Sequence, residues 1–132
     1  MVLMAAVVMF SGCGKDDDDD AQLILGKWSP KTATYTHYSN GVKDSEETEN
    51  DFDDDEAIEF FDNGKVSYEG ESGTYKISGK TLTITEDDDK DDPEIFQITS
   101  LTKKELIVTQ DETDTQQGQT SRYVDVMTFI KN

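Results

Sequence analysis

The chain has 132 residues and a formal net charge of −18, from 30 acidic side chains against 12 basic ones. That length fits a single domain. One Cys and one His exclude a disulfide framework and a zinc site built from Cys and His clusters, and the acidity argues against nucleic acid as a partner, because phosphate binding needs clustered Lys and Arg.

Residues 1–10 read MVLMAAVVMF, without a charged side chain. This run is far short of the ~20 residues that span a bilayer, and it fits the apolar region of a secretory signal. The basic segment that normally precedes such a region is missing, which predicts a natural start further upstream. Phe10-Ser11-Gly12-Cys13 resembles a bacterial lipobox, where cleavage before the Cys leaves it as the lipid-modified N-terminus. Residues 1–12 are therefore expected to be a signal peptide, residues 13–20 a lipidated Cys13 with an acidic spacer, and residues 21–132 the folded domain. A buried free thiol is the usual fate of an unpaired Cys, but Gly14, Lys15 and five aspartates follow this one, and no core holds such a run. Lys15 and the aspartates also resemble the export tag that follows the lipidated Cys in surface lipoproteins of Bacteroidetes-type bacteria. The resemblance implies an outer-membrane lipoprotein exposed at the cell surface, with the periplasmic face as the alternative.

The domain has few apolar residues to spend. Of 44 in the chain, 11 lie in the first 13 positions, and 33 remain for residues 21–132. Residues 21–25 suit a short helical turn with Asp20 as its N-cap. Residues 28–38, rich in Thr and Tyr, read as a first strand. Residues 57–61 and 65–70 flank Asn63-Gly64, the strongest short hairpin signal. Residues 74–78 place Tyr75 and Ile77 on one face, and residues 81–85 (TLTIT) commit Leu82 and Ile84 to one face by a strict period of two. Residues 95–101 turn Phe96 and Ile98 inward, residues 105–110 pair Leu106 with Val108, and residues 122–130 make the last strand. The acidic runs at 44–56 and 87–92 read as mobile rim loops, and residues 111–120 as a polar connection. The fold class is thus all-β: an antiparallel up-and-down meander of about eight strands. A meander must hide its edges, and closure into a small barrel is the simplest way.

Gly26-Lys27-Trp28 matches the Gly-X-Trp that opens the first strand of lipocalins, where Gly permits a tight kink and Trp plugs the closed end. The phrases Phe60-Phe61-Asp62-Asn63-Gly64, Gly73-Thr74-Tyr75 and Leu82-Thr83-Ile84 resemble those of small lipocalin-like lipoproteins of Bacteroidetes. The resemblance runs from about Leu23 to Lys131 and implies a lipocalin-like barrel. It also implies an Arg packed over the Trp, a good cation–π pair, and Arg122 is the one Arg in the chain.

Catalytic motifs are poorly supported. Gly70-Glu71-Ser72-Gly73 falls short of a nucleophile elbow, since Thr74 stands where Gly is needed and no helix follows. His37 is the one histidine and sits on an expected strand, where a lone His is more often structural, and the paired acids lie in runs that cannot hold the fixed separation of glycosidase carboxylates, about 5 to 9.5 Å. Asp51 to Glu56 begins like a calcium loop, but Glu56 replaces the Gly required at the sixth position. Neither a cofactor nor a metal site is expected, and a monomer is. The aromatic side chains carry more information. Tyr35, Tyr38, Phe60, Tyr68, Tyr75, Phe96, Tyr123 and Phe129 either pack a solid barrel or line its mouth, since an eight-stranded barrel has room for side chains or for one small ligand, and Tyr35, Tyr68, Tyr75, Phe96 and Tyr123 are the candidates for a ligand-binding lining. These features predict a membrane-anchored, non-catalytic lipocalin-like lipoprotein for a small hydrophobic or amphipathic ligand. The alternative is an accessory surface lipoprotein whose packed barrel meets a protein or glycan partner through its loops.

Overall fold

The Thr-rich alternating segments form strands, because branched and aromatic side chains suit a pleated, half-buried surface. The computed structural model describes residues 19–132, so the signal peptide expected over residues 1–12, Cys13 and Lys15 lie outside the described residues. Nine strands follow in chain order: β1 (Gly26–Ser39), β2 (Val42–Glu49), β3 (Ile58–Phe60), β4 (Lys65–Tyr68), β5 (Glu71–Ser78), β6 (Thr81–Glu86), β7 (Asp89–Leu101), β8 (Glu105–Gln116) and β9 (Gln119–Lys131). All pairings are antiparallel. No helix among the described residues is long and apolar enough to cross a membrane.

Eight of the strands close a ring. From β3 to β9 each pairs with the next, and β1 joins the two ends. Along one edge β1 runs beside β9 from Trp28↔Lys131 to Ser39↔Ser121. Its other edge is shared, with β3 opposite Gly26 to Trp28 and β2 opposite Ala33 to Ser39. The barrel therefore opens upward. Beyond the core, β2, β1, β9 and the outer half of β8 stand as a tall wall. Across from it, β7 meets β8 only through Gln97↔Thr109 to Leu101↔Leu106, and its first half follows β6 instead.

Three acidic or polar segments differ from the loops that their composition predicts. Most of the first half of the 44–56 run lies in β2, whose eight residues are all exposed. Burial is not required there, because the backbone of β1 satisfies the strand and charged side chains protect an outer edge from aggregation. Asp89 to Asp92 open β7. Residues 111–120 are the outer ends of β8 and β9, turned at Gln117-Gly118, where both residues have positive φ (53° and 77°). That is the geometry of a type I′ hairpin turn, whose twist matches the flanking strands. As a result β7 and β8 run to 13 and 12 residues, about twice the length that the apolar alternation marks out, and β1 and β9, at 14 and 13 residues, also outrun it.

One end of the barrel is plugged. Residues 19–23 are helical, with Asp20 inside the turn: its carbonyl accepts from the Ile24 amide (3.0 Å) and its buried carboxylate pairs with Lys80 Nζ (2.8 Å). Asp20 thus ties the plug to the β5–β6 turn instead of capping it. Ile24 and Trp28 are fully buried, and the indole Nε1 donates to the Ile24 carbonyl (2.7 Å). The cation over the Trp28 ring is Lys131, with Nζ 4.6 Å from the ring centroid, and the same amine donates to the carbonyls of Leu23 and Leu25. Arg122 does not take that place. The β1–β9 register sets it opposite Tyr38, at the far end of the strand from Trp28, where its guanidinium grips Asp111 through two bonds (2.9 and 2.7 Å) and lies 5.5 Å from the Tyr38 ring.

Above the plug lies the core, with Phe60, Val66, Leu82, Ile84, Phe96, Ile98, Leu106 and Val108 all buried. Tyr75 and Ile77 pack against it from one face of β5. Gly73 is the tightest point. A methyl group there would sit 2.4 Å from the Thr85 carbonyl oxygen, so only glycine lets β5 approach β6 this closely. Gly73→Ala is expected to cost about 1–3 kcal/mol, read as a lower urea midpoint with an unchanged slope; an unaltered midpoint would show that the two strands can part without loss.

Candidate functional site

Side chains alternate across a strand, so each wall of the barrel presents every second residue inward. On three neighbouring strands that inner series changes character along its length. β7 presents Ile98, Phe96 and Glu94; β8 presents Leu106, Val108 and Gln110; β9 presents Phe129, Met127 and Asp125. The first members fill the barrel, where only about 40 Å³ is left between Leu82, Leu106, Val108 and their neighbours. Above them the strands diverge and a cup of about 300 Å³ opens. Ile58, Ile84, Phe96, Met127 and Phe129 make its floor and lower walls. A volume near 300 Å³ is at the small end for a ligand site.

The rim is acidic. Glu56, Glu69, Glu94 and Asp125 line the opening with Tyr68 and Gln110, and the 50–57 segment leans Phe52 into it. That segment is held by its own acids: Glu56 accepts from the Asp53 amide (2.6 Å), and the Glu56 amide donates to the Asp53 carbonyl (3.1 Å). Partial burial, with Glu86, Asp92 and Glu112 close by, raises the Glu94 carboxyl above its ordinary value. Burial and then Glu112 do the same to Asp125. Tyr68 donates its hydroxyl to Glu86 (2.8 Å), and burial together with that bond pushes its pKa far up. A larger recess of about 630 Å³ lies where β7 and β8 separate, lined mostly by polar and charged groups such as Asp92, Asp111, Glu112 and Arg122. It lacks an apolar floor.

The aromatic residues expected to act together are dispersed. Tyr68 and Phe96 line the cup. Tyr75 lies edge-on to Phe60 (4.9 Å) in the core wall and donates to the Phe61 carbonyl (2.8 Å). Tyr35 stands on the tall wall directly across from Asp125 in the β1–β9 register, beside Glu47 and Glu49. Tyr123 stacks on His37 at 4.7 Å, and the His37 Nδ1 meets Asp44 at 3.1 Å. Glu94, Asp125 and Met127 carry no motif of their own in the sequence, although Asp125-X-Met127-X-Phe129 has the same period of two as Leu82-X-Ile84. Among the described residues, no group of His, Cys, Asp and Glu is arranged to hold a metal ion.

A closed eight-stranded barrel, plugged by a Trp on its first strand and open at the other end, has the form of a known family. The model of the lipocalin-like domain matches residues 24–108, well over half of the chain. The chain belongs to this family. The matched segment runs from the Ile24 plug to Val108 in the middle of β8. No curated protein matches the chain, and no solved structure does. Barrels of the lipocalin type have room for one small ligand, and the cup is where this barrel has it.

The raised carboxyls make stability depend on pH in a defined direction. In the folded chain Glu94 and Asp125 keep their protons to higher pH than in the unfolded chain. Folding bears the penalty of confining the charged forms above their raised titration range, and that penalty fades as pH falls through this range toward about 4, where ordinary carboxylates titrate. Glu94→Gln and Asp125→Asn are therefore expected to raise the urea midpoint at pH 7, by an amount that shrinks as pH 4 is approached. A gain that persisted undiminished at pH 4 would contradict this origin.

Proposed function

We propose that this lipocalin-like protein is a non-catalytic binding protein that holds a small hydrophobic or amphipathic molecule in its cup while lipid on Cys13 tethers it to a membrane. The observation that carries the binding half is the cup itself, an apolar floor under an open mouth at the one end of the barrel that no plug covers. The tether is supported by the sequence Phe10-Ser11-Gly12-Cys13 after an apolar run. More than one acyl chain gives stable anchoring, at about 0.8 kcal/mol per buried methylene. Lys15 and the five aspartates favour the outer face of the outer membrane in a Bacteroidetes-type lipoprotein, ahead of the periplasmic face.

A second reading has an observation of its own. The lower barrel is filled, and the wall formed by β2 and the ends of β8 and β9 stands exposed and acidic above it. An accessory lipoprotein that meets a protein or glycan partner through this wall would need no ligand at all. Binding of a neutral fluorophore separates the two. N-phenyl-1-naphthylamine added to the purified chain is expected to brighten and shift to the blue, and Gln110→Trp, which fills the cup from β8, is expected to abolish the effect. No change with the wild-type chain would favour the wall. Independently, Cys13→Ala is expected to move the protein from the membrane fraction to the soluble one, and retention in the membrane would refute the lipid tether.

A further inference from the structure

The cup has a polarity that the barrel alone does not require. Its lining includes four carboxylates, Glu56, Glu69, Glu94 and Asp125, and among the described residues neither Lys, Arg nor His lines it. Nor is the charge answered nearby. The residues acting electrostatically on Glu94 are Glu86, Asp92 and Glu112, and Glu112 acts on Asp125 as well. The ion pairs that the described cations form engage other acids: Lys80 with Asp20, Lys43 with Glu46, and Arg122 with Asp111. Beneath the carboxylates lie Ile84, Phe96, Met127 and Phe129, and Phe52 and Tyr68 line the same cup.

Resting on the cup reading, we propose that the occupant is an amphipathic cation. Its protonated amine or quaternary ammonium head sits among Glu94, Asp125 and Glu56, and its aryl or alkyl body lies on the apolar floor. A fatty acid would bring a further negative charge into a partly desolvated acidic rim. A sugar or a hydrated inorganic cation would leave the floor uncovered. An ammonium group is stabilised by the carboxylates and also by the ring faces of Phe52 and Tyr68, which attract cations through the aromatic quadrupole. The cup has the volume of about ten water molecules at about 30 Å³ each, so the body is small.

Three compounds of nearly equal size and different charge test this: 3-phenylpropylamine, 3-phenylpropanol and 3-phenylpropanoate, each titrated calorimetrically into the full chain at pH 7. The amine is expected to bind at least about tenfold more tightly than the alcohol, a difference of about 1.4 kcal/mol, and the acid more weakly than either. In the Glu94→Gln/Asp125→Asn double variant the amine is expected to fall to the level of the alcohol, whose own affinity stays unchanged. If alcohol or acid equals the amine in the wild-type chain, the cationic assignment is overturned while the cup stands. Loss of amine and alcohol binding together in the double variant would also overturn it, as damage to the cup itself. Failure of N-phenyl-1-naphthylamine to bind the wild-type chain would remove the cup reading, and the cationic occupant with it.

Discussion

Closure of the ring depends on one strand finding partners on both edges along nearly its whole length. β1 runs beside β9 from Trp28 to Ser39 and divides its other edge between β3 and β2. The consequences reach both ends of the barrel. Where β1 meets β3, Trp28 enters the core and Lys131, its register partner on β9, covers the indole. Where β1 meets β2, the strand has already left the core, and the sheet continues as a wall with one face open. A β1 of half the length would still close the barrel, but no wall would stand over the mouth.

The same strands serve two purposes because the inner alternation continues after the apolar supply ends. Phe129 and Met127 belong to the barrel and Asp125 to the cup, on one strand and one face. Tight filling stops at about the level of Met127, and on the next pair of the β1–β9 register Asp125 faces Tyr35. Carboxyls held above their ordinary titration range next to an apolar floor cost stability, and such costs commonly mark positions kept for function rather than for folding. The plug end shows the opposite arrangement. There the buried carboxylate of Asp20 has Lys80 at 2.8 Å, and the carbonyls of Leu23 and Leu25 have Lys131, so its polar groups are answered.

Much of the fold was legible where burial leaves a mark. Leu82 and Ile84, Phe96 and Ile98, and Leu106 and Val108 all point inward in the core as their spacing indicates, because a strand with one buried face must alternate. β2 and the outer ends of β8 and β9 were not legible. Their side chains are exposed, so hydrophobicity leaves no period, and the strands exist because neighbouring backbones pair with them. The candidate site was legible only in fragments. Tyr68 and Phe96 reach the cup, while Tyr35, Tyr75 and Tyr123 lie in the wall or the core. Aromatic type marks a residue that will be partly buried, but not the height at which it sits in the barrel. Asp125, two positions before Met127 on the same face, carried the better signal.

The sequence by itself determined the all-β class, the inward faces of the core strands and the lipocalin-like opening at Gly26-Lys27-Trp28. Each of these follows from local spacing, which a strand's two-residue period converts directly into a face. Only the tertiary structure decided that Lys131 and not Arg122 covers Trp28, that an all-exposed acidic segment becomes β2, and that Glu94 and Asp125 share one cup. Those outcomes depend on the register in which β1 closes onto β9 and on where β7 parts from β8. Register is set by pairing between strands distant in the chain, and no local pattern of residues encodes it.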